Sequence, residues 1–201
     1  MLRDPDGLDR FLDAIFQAAP LPISVKTRIG FTEPEEFPKL LEVFNRYPIK
    51  ELIIHPRVRK VFYKGGVNTD AFDYAVENSK NPLCFNGNIT SVAQIEAFKK
   101  QYPDIDSIMI GRGLIADPGM LSGGTDKAAL EGFMNELMAV YEVEFGGSRN
   151  AIFRLKENWG FLHDRFEGCE KLWKRLRKTT DADEFKAVSA EILHTLPLRK
   201  T

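Results

Sequence analysis

Apolar and polar residues follow two alternating patterns over the first part of the chain. Short apolar segments, rich in β-branched residues and flanked by Pro, Asp or Gly, occupy 23–29, 51–55, 82–86 and 106–111. Apolar residues recur every three or four positions in the segments 7–19, 35–47, 69–79 and 91–102. The first pattern predicts β-strands and the second amphipathic helices, with Thr69 and Ser91 at expected N-cap positions. Strands that alternate with helices in this way predict a parallel sheet of the α/β class.

Only the helical pattern continues beyond residue 126. Segments 126–146, 149–166, 167–178 and 181–196 have helical periodicity with short joints, and no strand pattern is evident among them. This predicts an all-α bundle after the α/β part. The Gly123–Gly124 pair is the predicted boundary, so we expect two domains, 1–122 and 126–201.

Each predicted strand ends in a residue suited to ligand binding. Lys26 and His55 end the first two strands, the segment 86–88 (Asn-Gly-Asn) ends the third, and the segment 111–113 (Gly-Arg-Gly) ends the fourth. The carboxyl ends of parallel strands meet at one edge, where α/β proteins bind ligands. Glycine allows close backbone approach and arginine adds a charge-assisted contact. Taken singly, each feature is more often a turn, a helix start, a solvated lysine or a structural histidine than a ligand contact. Together they predict an anionic, phosphate-bearing ligand.

Composition is that of an ordinary globular protein, with 43% apolar and 28% charged residues. No segment is long and apolar enough to predict a membrane span, and the N-terminus lacks a secretory pattern. The two cysteines, Cys84 and Cys169, are far apart and predict neither a disulfide framework nor a metal site. A reducing cytoplasm is the expected location.

Charge is unevenly distributed along the chain. Residues 1–148 carry 16 Lys and Arg against 21 Asp and Glu, whereas residues 149–201 carry 12 against 8. The basic residues are densest in 171–178 (KLWKRLRK). This pattern favours a polyanion contact in the helical part, although a solvated helix face has the same composition.

Four segments together resemble the tRNA-dihydrouridine synthases. They are VKTRIG (25–30), IIHPRVRKVFYKG (53–65), CFNGNI (84–89) and IMIGRGLIADPGM (108–120). Their order and spacing are similar to that family's flavin-binding (β/α)8 barrel from its fifth strand onward. The segment RLKENWGFLHDRF (154–166) resembles part of the family's tRNA-binding helical domain. The resemblance implies the C-terminal half of a TIM barrel followed by an all-α helical domain.

The resemblance also implies a reaction and its binding residues. The family reduces uridine in tRNA to 5,6-dihydrouridine with FMN, which NADPH reduces first. The implied FMN-binding residues are Lys26, His55, Asn86, Gly87, Asn88, Gly111 and Arg112. The implied tRNA-binding residues are Arg28, Arg57, Arg59, Tyr63, Lys156, Lys174 and Arg175. The sequence offers no catalytic residue, because the family's Asn-x-Gly-Cys-Pro motif is absent from it.

Cys84 and Cys169 are interpreted as structural, so we expect this chain to be inactive alone. Two alternatives stay open: another FMN- or phosphate-binding barrel oxidoreductase, and a non-catalytic RNA-binding fragment. Half a barrel would leave strand edges unpaired and one sheet face uncovered. Self-association into a dimer is therefore expected.

Overall fold

The computed structural model describes residues 1–62 and 66–199. Tyr63, a predicted tRNA-binding residue, lies outside the described residues. The chain divides into two compact units. The first comprises Met1–Ile89 and Ala93–Ile110, and the second comprises Thr90–Val92 and Gly111–Thr201. The domain limits 1–122 and 126–201 stay a prediction.

A four-stranded parallel sheet forms the centre of the first unit, which confirms the predicted α/β class. Its strands are β1 (Ser24–Arg28), β2 (Glu51–His55), β3 (Leu83–Phe85) and β4 (Ser107–Ile108). They pair in the order β1-β2-β3-β4, so each strand lies beside its neighbour in sequence. β2 has the predicted bounds, whereas β1, β3 and β4 are shorter than the predicted segments 23–29, 82–86 and 106–111.

Four helices of the first unit occupy the predicted segments. They are α1 (Pro5–Ala18), α2 (Phe37–Phe44), α3 (Thr69–Asn78) and α4 (Val92–Gln101). A 3₁₀ turn, Pro34–Glu36, precedes α2. The predicted N-cap of α3 was wrong: Asn68, not Thr69, accepts a 2.9 Å bond from the Ala71 N–H. Thr69 is already the first helical residue, and Asn is among the best residues at the preceding position.

The core of the first unit lies on one face of the sheet. Leu52, Ile54, Leu83 and Phe85 belong to a buried apolar cluster with residues of α1 to α4. The Phe85 ring stacks on Phe98 at 4.6 Å between centroids, and it meets Phe72 edge-on at 4.9 Å. Side chains alternate between the two faces of a strand, so the residues between these point to the opposite face.

The second unit is helical, as the sequence predicts. Its helices are α5 (Arg112–Ala116), α6 (Lys127–Glu144), α7 (Ser148–Leu162), α8 (Glu170–Leu176) and α9 (Ala182–Thr195). Trp159 and Phe166 are fully buried at its centre, among aliphatic residues of α6, α7 and α9. In the described part of the chain, no helix combines the length and apolar character needed to cross a membrane.

A buried ion pair connects distant segments of the second unit. The guanidinium of Arg165 lies 2.9 Å from the Asp117 carboxylate, and their side chains are 8% and 1% exposed. The same carboxylate accepts bonds from the Thr125 hydroxyl (2.6 Å) and N–H (3.0 Å). Arg165 also donates to the Arg199 carbonyl at 3.1 Å. One charge pair therefore ties together the segment after α5, the end of α7 and the C-terminal segment.

Candidate ligand site at the strand ends

The face of the sheet opposite the core carries a row of four paired residues. Lys26 pairs with Ile53, Ile53 with Cys84, and Cys84 with Ser107. Paired residues of parallel strands point to the same side, so this face presents an amine, a thiol and a hydroxyl around one isoleucine. These are the positions that face the interior when such strands belong to a closed barrel.

The side-chain amine of Lys26 has a lowered pKa. Partial burial lowers the pKa of its amine, and the nearby Arg28 guanidinium lowers it further, whereas Cys84 acts in the opposite direction. Its side chain is nevertheless exposed. The predicted position of Lys26 at the end of the first strand was wrong, because it is the third of the five residues of β1. A cation with a perturbed pKa on this face of the sheet is still typical of a functional site.

The two cysteines are buried, consistent with the structural role that was predicted for them. Cys84 is 3% exposed; burial raises the pKa of its thiol to about 11, with Glu51 adding to the rise. Burial also raises the pKa of the Cys169 thiol to about 11. Both thiols stay protonated at neutral pH, where a thiol is a poor nucleophile.

The next row along the sheet pairs Arg28 with His55. His55 is buried. Arg28 donates through Nη1 to the carbonyls of Val58 (3.2 Å), Arg59 (3.3 Å) and Phe62 (3.3 Å). Its guanidinium thus shapes the loop after β2.

The third strand end is fixed by Asn86 and Gly87. The Asn86 N–H continues the ladder to Ile54 O at 2.9 Å, and its side-chain amide donates to Met109 O at 2.8 Å. A Cβ on Gly87 would lie 2.2 Å from the Phe85 ring. Glycine is therefore required here by packing, a reason independent of any phosphate. Asn88 follows and is exposed.

The fourth strand end has a different glycine. Gly111 precedes α5 and is exposed, as is Arg112. A Cβ on Gly111 would meet no heavy atom of the described residues within 4 Å, and its φ of −115° suits any residue. Packing within the described chain does not explain this glycine. Gly111 and Arg112 belong to the second unit, and their role beside the third strand end stays a prediction.

The predicted tRNA-binding residues fall into two groups. Arg57 is only 2% exposed, and the Lys156 amine donates to the Thr179 carbonyl, so these two serve the fold. Arg59, Lys174 and Arg175 are exposed. Arg175 forms a surface ion pair with Glu191 at 3.1 Å.

Two features of the loops at this edge escaped the sequence patterns. The Glu36 carboxylate accepts bonds of 2.8–3.0 Å from the N–H groups of Phe31, Thr32 and Glu33. The Arg59 guanidinium lies 5.5 Å from the rings of both Phe31 and Phe62. The adjacent Phe62 and Tyr63 in the sequence indicate an aromatic contact with RNA, and the prediction assigned that contact to Tyr63.

Comparison with known proteins agrees with the resemblance seen in the sequence. The family described as dihydrouridine synthase (Dus) matches residues 1–194. This match covers nearly the whole chain.

Individual proteins that are similar to this chain carry the name of the same family. A probable tRNA-dihydrouridine synthase of Rickettsia prowazekii (strain Madrid E) is 31% identical over 124 residues, 61% of this chain and 37% of that protein. The tRNA-dihydrouridine synthase B of Proteus vulgaris is 33% identical over 122 residues, 59% and 36% respectively. A probable tRNA-dihydrouridine synthase of Rhizobium leguminosarum bv. phaseoli is 26% identical over 202 residues, 98% and 63%. The chain spans less than two thirds of the length of these relatives.

Proposed function

The chain belongs to the dihydrouridine synthase family, and from this premise we propose that it is the flavin-phosphate side and the RNA-binding helical part of an FMN-dependent tRNA-dihydrouridine synthase. Its first unit corresponds to the last four βα units of a (β/α)8 barrel, and its second to the helical domain. Support for the barrel comes from four parallel strands in sequential order, with the helices α1 to α4 packed against one face of the sheet. The substrate is uridine in tRNA, and NADPH is the reductant.

The observation that carries this proposal is the row headed by Lys26. The exposed amine of Lys26 lies two residues before Arg28 on the sheet face opposite the helical core. A flavin bound there would meet two positive charges, which would stabilise negative charge on its ring or phosphate. The flavin, when bound, would supply the electrons that reduce the uracil ring.

Other residues at this edge would hold and orient the cofactor. Asn86 fixes the relative position of the third and fourth strand ends through its bond to Met109. His55 would border the flavin, while Asn88, Gly111 and Arg112 would donate to the phosphate. Gly87 would contribute close backbone approach in addition to its packing against Phe85.

For the isolated chain we propose binding without turnover. The family's cysteine motif does not occur in this sequence, and the two cysteines it has are buried with thiol pKa values of about 11. Neither is suited to deliver a proton to uracil. Exposed Lys174 and Arg175 on α8 would contribute to tRNA affinity, which would depend strongly on salt.

Quenching of FMN fluorescence on titration with the chain tests the cofactor part. Lys26→Met should weaken FMN binding about tenfold or more, the factor expected for one lost charge-assisted contact. Lys39→Met, which removes an exposed lysine of α2, is the matched control and should leave the affinity unchanged. Since the pKa of Lys26 is lowered, affinity should fall as pH rises through that pKa, and Lys26→Met should abolish this dependence. Equal affinities for both variants would contradict the proposal.

Turnover is tested separately by measuring dihydrouridine in a tRNA transcript after incubation with chain, FMN and NADPH. The proposal expects tRNA binding and no dihydrouridine. Formation of dihydrouridine would contradict the proposed inactivity of the chain and support the family reaction.

A further inference from the structure

Two arginines and two phenylalanines form a cluster between the N-terminal segment, which carries Arg3, and the loops that follow β1 and β2. The Arg3 guanidinium lies 3.6 Å from the centre of the Phe31 ring. Arg59 lies 5.5 Å from the same ring and 5.5 Å from the Phe62 ring. We call these four residues the Phe31–Phe62 cluster.

The backbone holds Phe62 in an unusual position. Its φ of 53° is in a region that a bulky residue rarely adopts, and it is the single such non-glycine residue in the described chain. Its carbonyl accepts a 3.3 Å bond from Arg28. Its ring is 57% exposed, so packing in the core does not explain the conformation. The loop therefore keeps Phe62 in a strained backbone conformation that leaves its side chain exposed to solvent.

The chemistry of the cluster matches one kind of partner. An exposed aromatic ring stacks on an unpaired base, and guanidinium groups beside it bind the adjoining phosphates and stack on bases themselves. The neighbouring Glu36 carboxylate accepts bonds from three backbone N–H groups, so its negative charge is directed toward the backbone. The groups that the cluster presents to a ligand are therefore guanidinium cations and aromatic rings.

We propose that Phe62 is a stacking platform for an unpaired base of tRNA, with Arg59 and Arg3 contacting the adjoining backbone. This deepens the proposed function and rests on it, because the partner is the tRNA substrate. It assigns RNA contact to phenylalanines as well as to the arginines and Tyr63 indicated by the sequence.

The test measures binding of a tRNA transcript to the full chain over a series of salt concentrations. Phe62→Ala should weaken binding about 5- to 100-fold, the range for one lost base–aromatic stack, with an unchanged salt slope. Phe62→Leu should weaken tRNA binding by a similar factor, whereas Phe62→Trp should keep the wild-type affinity because an aromatic ring is still present. Arg59→Gln should reduce the salt slope by about one phosphate contact. Phe11→Ala, which removes a 45% exposed phenylalanine of α1, is the matched control and should have no effect.

A second ligand separates stacking from contact with the backbone. Phe62→Ala should leave affinity for a fully paired RNA duplex unchanged, since a duplex offers no unpaired base. Tight tRNA binding that is equal in wild type and Phe62→Ala would overturn this inference and leave the proposed function standing. Equal loss on tRNA and duplex would overturn it as well. Absence of tRNA binding by the wild-type chain at low salt would overturn both.

Discussion

The ion pair between Asp117 and Arg165 predicts a large and specific loss of stability. Asp117→Asn removes the negative charge but keeps an amide oxygen that still accepts bonds from Thr125. The variant therefore leaves the Arg165 guanidinium, which is 8% exposed, without its counter-charge. Removing one member of a buried pair costs about 3–5 kcal/mol. Domains are commonly stable by only about 5–15 kcal/mol, so this is a substantial fraction.

Urea unfolding followed by tryptophan fluorescence measures this loss where it occurs. Both tryptophans, Trp159 and Trp173, belong to the second unit, as does the ion pair. With a slope of about 2 kcal/mol per molar urea, the midpoint for Asp117→Asn should fall by about 2 M. The slope itself should not change, because the surface exposed on unfolding is the same.

Two further variants decide whether the charge pair is the cause. Glu191→Gln breaks the exposed pair with Arg175 and should cost at most about 1 kcal/mol. Adding Arg165→Met to Asp117→Asn should recover part of the stability, because no buried charge is then left alone. A loss below about 1 kcal/mol for Asp117→Asn, equal to that of Glu191→Gln, would refute the reasoning.

Four other predictions follow from single features of the first unit. Burial by itself would raise the pKa of Glu36, but three backbone N–H donors lower it below its usual value of 4.5; the stability it contributes is present above that value and is lost as pH falls through the folded pKa. Glu36→Gln should therefore cost about 1–3 kcal/mol at pH 7 and progressively less as the pH falls from 4.5 through the folded pKa, and a loss that does not change with pH would contradict this. Gly87→Ala should cost about 1–3 kcal/mol in thermal or urea unfolding because its Cβ would overlap the Phe85 ring, whereas Gly111→Ala should stay within about 0.5 kcal/mol; equal effects would exclude this packing account. Cys84 should react with a thiol reagent at neutral pH only after unfolding, and rapid labelling of the native chain would show that burial does not protect it. The outer strands of the sheet, β1 and β4, should drive self-association through their edges, so light scattering should give a dimer mass; a monodisperse monomer would contradict the expected association.

The sheet and its helices were predictable because they depend on spacing. Short continuous apolar runs such as Leu52–Ile54 and Leu83–Phe85 predict buried strands. The amphipathic segments fix the helices that cover one face of the sheet. The helices α6 to α9 of the second unit follow from the same rule, whereas the short helix α5 was not predicted.

Loops and individual side chains were less predictable because several residues compete for each role. Asn68 caps α3 although Thr69 and Asp70 offered a similar pattern one residue later. Glu36 is the N3 residue of a capping box whose N-cap is Glu33 in place of Ser or Thr. It also accepts bonds from the N–H groups of Phe31 and Thr32, which the capping box does not include. The burial of Arg57 depends on tertiary packing that composition does not reveal.

The candidate site was predicted in outline and differs in detail. His55 is the last residue of β2, as predicted, and it pairs with Arg28. Lys26 lies two residues before Arg28, in the middle of β1, and not at the predicted strand end. The sequence also assigned Gly87 to phosphate binding, yet its packing against Phe85 is sufficient to require glycine. The contribution of Phe62 depends on a positive φ, which no residue pattern around it indicates.

The most direct test of the central claim compares FMN with riboflavin in equilibrium dialysis against the purified 201-residue chain. The two ligands share the flavin ring and differ in the phosphate, which the strand ends are proposed to bind. One charge-assisted phosphate contact predicts about tenfold or greater preference for FMN. The account predicts saturable FMN binding near one per chain and much weaker binding of riboflavin. Equal affinity for both ligands, or no retention of FMN, would contradict it.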